Sequence, residues 1–93
     1  MPNLGRSVAR MRPTDTLQSV PTRRPVRLTL VDLPLVARRR LAELGLRAGA
    51  TVEVVHRTAG GGRVVAVAGS RIALDRATAH GIQVLVVEEA PVV

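Results

Sequence analysis

The sequence predicts a small, mainly β domain, with one short α-helix near its start and strands that close on one another as a small barrel. Three observations lead there. Residues 40–49, Arg-Leu-Ala-Glu-Leu-Gly-Leu-Arg-Ala-Gly, read as the last turns of a helix, a glycine stop and a tight turn into a strand. Beyond Gly49 the aliphatic residues fall in short alternating runs, the period of half-buried strands. Glycines at 60–62 and at 69 separate those runs where hairpins need positive φ.

Each element follows in chain order. Residues 1–25 hold Pro2, Pro13 and Pro21, scattered Arg and Ser/Thr, and no apolar periodicity, so they read as a disordered basic tail. Met11 is an alternative start, and the Arg-rich leader has some transit-peptide character. The domain is expected to occupy residues 26–93. Within it, Val26, Leu28 and Leu30 alternate with Arg27 and Thr29, as in a strand with one buried face. Asp32-Leu33-Pro34 offers a helix start: an acid near the amino end and a proline suited to the first turn. Residues 35–44 form the helix, with Leu41 and Leu44 on one face toward a core. Gly45 ends it in a left-handed conformation, and Leu46 supplies the apolar contact that closes such a cap.

Ala48-Gly49 turns the chain into residues 51–57, with Val52 and Val54 on one face and Thr51, Glu53 and Val55 on the other. Gly60-Gly61-Gly62 closes a hairpin to residues 63–68. Ala68-Gly69-Ser70 then leads into residues 71–74, where Ile72 and Leu74 face inward. Asp75 caps one helical turn that Gly81 ends, and Ile82 and Val84 lead the last strand.

Composition excludes several function classes. The 93 residues allow one domain, and a domain of about 60 residues buries only about 60% of its unfolded surface. No aromatic residue is present to stack a nucleobase, and no cysteine to form a disulfide, a thiolate site or a nucleophile. The net charge of +7 comes from fourteen arginines against seven acids, +4 in residues 1–24 and +3 in the remainder. The absence of lysine beside so much Ala, Val and Gly suggests a GC-rich, bacterial genome. No apolar run approaches the length that spans a bilayer.

Candidate chemistry is sparse. His56 and His80 lack metal-ligand spacing with each other or with Glu53 or Asp75, and they read as solvent-facing. Gly60-Gly61-Gly62-Arg63 lacks the Gly-Lys-Ser/Thr ending and following helix of a phosphate loop. Ser70 has no nucleophile-elbow context. No catalytic, cofactor or metal residues are therefore expected. The run Arg38-Arg39-Arg40 cannot form one flat patch, because successive helical residues point about 100° apart. Arg39, Arg40, Arg47, Arg71 and Arg76 together remain the candidate contacts for an acidic partner.

The linked pattern Arg40-Leu41, Leu44-Gly45-Leu46, Gly49, Val52-Glu53-Val54, the 60–62 hairpin, Gly69 and Ile72-Ala73-Leu74 through Ile82 and Val84 resembles the FeoA family. That family comprises the small partner proteins of the ferrous iron transporter FeoB, and the same domain type forms the C-terminal domain of iron-dependent DtxR-type repressors. The resemblance implies an SH3-like β-barrel and a non-enzymatic adaptor of bacterial ferrous iron transport. Such an adaptor binds the cytoplasmic part of FeoB, is cytoplasmic, and is peripheral at the inner membrane through its partner. Leu41, Leu44, Gly45, Leu46, Gly49, Gly69 and Leu74 are its fold-defining positions. Asp32-Leu33-Pro34 resembles the opening of many members, after which the family usually has a further glycine-led strand. Residues 26–31 are then either that strand, with the opening segment lost, or the barrel lacks a strand and has an edge that a second copy covers. The alternatives are a small basic SH3-like nucleic-acid-binding domain, with weak and non-specific affinity, and a repressor-associated regulatory domain.

Overall fold

The computed structural model describes residues 7–10 and 15–89. Strands β1 (Ser7–Arg10), β2 (Pro25–Val31), β3 (Thr51–Arg57), β4 (Arg63–Val67), β5 (Ser70–Leu74) and β6 (Ile82–Glu89) form one sheet in the order β1-β6-β2-β3-β4-β5. Every neighbouring pair is antiparallel. Helix α1 (Leu35–Glu43) connects β2 to β3, and the short α2 (Arg76–His80) connects β5 to β6. The fold is thus mainly β with a short helix near its start, as the sequence predicts. The sheet stays open, with β1 and β5 as its two edges.

The core is wholly aliphatic and includes Val26, Leu28, Val52, Val54, Val65, Val67, Leu74, Ile82 and Val84 from the strands, Leu41 from α1 and Ala79 from α2. It also includes Leu17 and Val20, which the sequence reading assigns to a disordered tail. That boundary is corrected here: residues 15–24 belong to the domain. Thr16 bridges Gln83, the Leu17 amide donates to the Ile82 carbonyl at 3.1 Å, and the Val84 amide donates to the Asp15 carbonyl at 3.1 Å. Thr16 Oγ1 accepts from the Gln18 amide, and Ser19 Oγ accepts from the Thr16 amide. These local bonds fold the segment into a turn that presents Leu17 and Val20 inward without any sequence periodicity. The alternative start at Met11 and residues 1–6, 11–14 and 90–93 lie outside the described residues.

Strand β1 covers the edge of β6, pairing Ser7–Arg10 with residues 86–89. The alternative of a missing strand is therefore not found among the described residues: β2 stands ahead of the helix, residues 16–20 stand ahead of β2, and β6 is flanked on both sides.

Helix α1 starts on backbone geometry. Pro34 is its N-cap, without a side-chain cap bond, and the Pro34 carbonyl accepts from the Arg38 amide at 2.9 Å. Asp32 does not cap the helix; its amide instead donates to the Gly81 carbonyl at 2.7 Å. The C-terminus is a Schellman cap. The Leu46 amide bonds the Leu41 carbonyl at 2.9 Å, the Gly45 amide bonds the Ala42 carbonyl at 3.0 Å, and Gly45 holds φ +99°. Leu41 and Leu46 are buried together. Leu44, expected beside Leu41 in the core, is 49% exposed. It is the C-cap residue, and the chain reversal at Gly45 brings Leu46 into the core position.

Two bulges alter the expected alternation. Between Leu28 and Leu30 the β2–β6 register shifts by one residue, so Leu30 is 47% exposed and Val31 is buried instead. A second shift between Val54 and His56 turns Val55 inward beside Val54, against the expected outward position.

The β4–β5 hairpin turns through Ala68 and Gly69, at φ 49° and 81°, between the paired Val67 and Ser70. Two consecutive positive φ values define the type I′ turn, for which Asn-Gly is the favoured pair. Ala68 is an exposed alanine held in the left-handed region. Ala68→Asn is therefore expected to stabilise the protein by about 0.5–1 kcal/mol, read as a higher urea midpoint with an unchanged slope.

Candidate partner-docking groove

The bulge in β2 creates the most distinctive surface of the domain. Leu30, turned outward, forms one wall of an apolar groove of about 250 Å³ between β2 and α1. Val31, Ala42, Leu46 and Ala48 continue the lining, with Thr29, Arg38 and Arg47. On α1, Leu35, Arg38 and Ala42 stand at i, i+3 and i+7, so one helical stripe runs along the groove. Leu35 is exposed at its amino end. The Arg47 carbonyl accepts from the Ala50 amide at 3.0 Å, which fixes the turn carrying Arg47 and Ala48. Arg47 also lines a second, shallower concavity of about 480 Å³ between that turn and Val67–Ala68.

The five arginines singled out in the sequence do not share one face. Arg47 lines the groove, Arg39 and Arg40 are exposed on other faces of α1, Arg71 lies on the edge strand β5, and Arg76 opens α2. Arg38, absent from that set, is the second groove cation. Its signal was available: it shares a helical stripe with Leu35 and Ala42. Of the fold-defining positions, Leu41, Leu46 and Leu74 are buried, Gly45 makes the cap, and Gly49 and Gly69 sit in turns at positive φ.

Arg63 is the residue that sequence reading missed. It is only 7% exposed, and its Nη1 donates to the carbonyls of Gly61 (3.1 Å) and Gly62 (2.9 Å). Its Nη2 donates to the Gln18 carbonyl at 2.8 Å, so one guanidinium ties the β3–β4 loop to the amino-terminal segment. Its Nε, like Oε1 of Gln18, is buried without a partner. Burial pushes the Arg63 guanidinium below the usual arginine range, and the neighbouring charges of Arg57 and Arg76 push it the same way. Asp75 caps α2, accepting from the Thr78 amide at 2.7 Å, and hydrogen bonding from the Thr78 side chain first and its amide second holds the carboxyl below the usual aspartate range. His56 and His80 are exposed, and no three His, Asp or Glu side chains converge among the described residues.

A profile of the FeoA domain matches residues 16–86. The chain belongs to the FeoA domain family. The matched FeoA segment starts at the Thr16 bridge, well before the boundary expected at residue 26, and leaves out β1. Solved structures similar to this FeoA domain include a FeoA protein from Chlorobium tepidum, 29% identical with a TM-score of 0.72, over 77% of this chain and 70% of that one. Iron(II) transport protein A from Clostridium thermocellum is 22% identical with a TM-score of 0.71, over 77% of this chain and 45% of that one. An iron uptake regulatory protein (FeoA) is 22% identical with a TM-score of 0.67, over 77% of this chain and 95% of that one. The last two share the fold. No curated protein matches the chain.

Proposed function

We propose that this FeoA-family protein is a non-enzymatic accessory component of bacterial ferrous iron transport that docks on the cytoplasmic part of a FeoB-type transporter through the β2–α1 groove. The observation that carries this reading is the pairing of an outward Leu30 with Arg38 and Arg47 on one apolar groove. Apolar walls supply contact area, and guanidinium groups at the same site favour a partner segment that mixes aliphatic and acidic side chains. Because no helix among the described residues is long and apolar enough to cross a membrane, attachment at the inner membrane would come through the transporter. Arginines dispersed over several faces, with no aromatic residue, favour a protein partner over nucleic acid. A second copy pairing edge to edge would have β5 or the outer side of β1 as its open strand.

Titration calorimetry against the soluble cytoplasmic portion of the cognate transporter, with guanine nucleotide present, tests the proposal. Leu30→Asp is expected to weaken binding about 30-fold, and Arg47→Glu on the order of tenfold. Wild-type protein that does not associate, or variants that bind equally well, would remove the basis for this function.

A further inference from the structure

We infer that the end of the sheet where β3, β4 and β5 meet α2 is a binding site for a phosphoryl-type oxyanion, held by the exposed Arg57 and Arg76 with the buried charge of Arg63 behind them. Arg57 stands directly opposite Arg63 in the β3–β4 ladder, so both side chains leave the same face of the sheet. Arg63 in turn pairs with Leu74, two residues before Arg76. The Arg76 stem returns over the loop between β3 and β4: a Cβ added at Gly61 would stand 3.0 Å from Arg76 Cδ. Three guanidinium groups thus share one corner of the domain, and the electrostatic influence of Arg57 and Arg76 on Arg63 agrees with that placement.

The arrangement is costly for an isolated protein. Like charges directly opposite in a ladder repel, and a buried cation is stable only when its charge is compensated. Arg63 has neutral carbonyl partners alone and an unpartnered Nε. No ion pair engages Arg57, Arg63 or Arg76 among the described residues, and the nearest carboxylate in sequence, Asp75, is held by the Thr78 amide. A dianion between Arg57 and Arg76, above Arg63, adds an attraction to each guanidinium that offsets their mutual repulsion. Planar guanidinium forks match the spacing of phosphoryl oxygens. Arg57 and Arg76 are exposed and open to solvent, while Arg63 is buried and contributes its charge from within the fold. This corner is separate from the β2–α1 groove, so the site stands or falls independently of the transporter reading.

Thermal unfolding of the full chain in sodium phosphate and in sodium chloride at matched ionic strength provides the test. Phosphate at about ten times its Kd is expected to raise Tm by on the order of 5 °C over chloride. Arg57→Gln and Arg76→Gln should each abolish that difference and, in chloride alone, raise Tm by relieving repulsion. Arg39→Gln, on α1, should leave the phosphate effect intact. Cosedimentation with phosphatidylglycerol vesicles identifies the source. Binding lost in both site variants assigns a lipid headgroup, whereas a phosphate shift without vesicle binding assigns a soluble phosphoryl compound. Equal Tm in the two salts, or a phosphate shift that survives in both site variants, overturns the inference.

Discussion

Replacing Leu17 with alanine is expected to destabilise the domain by about 2–5 kcal/mol, the range for emptying a fully buried leucine site. Leu17 is completely buried, and its backbone is bonded to Ile82 in the interior strand β6. The surrounding shell cannot relax easily, because Val20, Ile82 and Val84 are themselves packed in the same cluster. For a domain of this size total stability is about 5–10 kcal/mol, so the loss is a large share of the whole. The companion experiment is truncation to residues 26–93, which is expected to yield a chain with no cooperative urea transition. A truncated protein that unfolds at the full-length midpoint would show that residues 15–24 contribute nothing to the core.

Arg63→Leu is expected to cost about 2–3 kcal/mol, despite removing a buried charge. Three carbonyl oxygens lose a charged donor at once, each such bond being worth about 1.5–3 kcal/mol, and the gain from relieved desolvation and repulsion offsets only part of that. Arg63→Lys should rescue little, since one ammonium cannot reach the loop carbonyls and Gln18 together. The pH dependence follows from the lowered pKa. The folded state binds this proton less tightly than the unfolded chain, so stability attributable to Arg63 would rise with pH only in strongly alkaline solution. Across about pH 5–9 the wild-type and Arg63→Leu curves should therefore stay parallel. Denaturant midpoints measured over that interval check both the size of the loss and its constancy.

The parts of this fold legible in the sequence are those set by neighbours along the chain. The Schellman cap at Gly45 needs only a helix end, a glycine and an aliphatic residue in order, and all three are adjacent. Asp75 finds its amide partner three residues away, and the hairpins at 60–62 and 68–69 are written in glycine. What stayed hidden depends on partners distant in sequence. Leu17 and Val20 are buried by β6, from among prolines and arginines that carry no period. Arg63 is placed by a carbonyl 45 residues away. The bulges that turn Leu30 out and Val55 in are properties of paired strands, and a single strand read alone shows only its alternation. The groove was missed for the same reason, since one of its walls is the misplaced Leu30.

The irregularity at residues 28–30 makes one ribbon serve two masters: Leu28 and Val31 stay fixed by packing, while Thr29 and Leu30 between them face outward. Removing Thr29 would restore strict alternation, with Leu28 and Val31 inward and Leu30 still outward between them. Such a deletion would leave charge and helix untouched, yet take one lining residue out of the groove and redraw its wall. Relatives with and without the extra residue would then fold alike while presenting differently shaped surfaces.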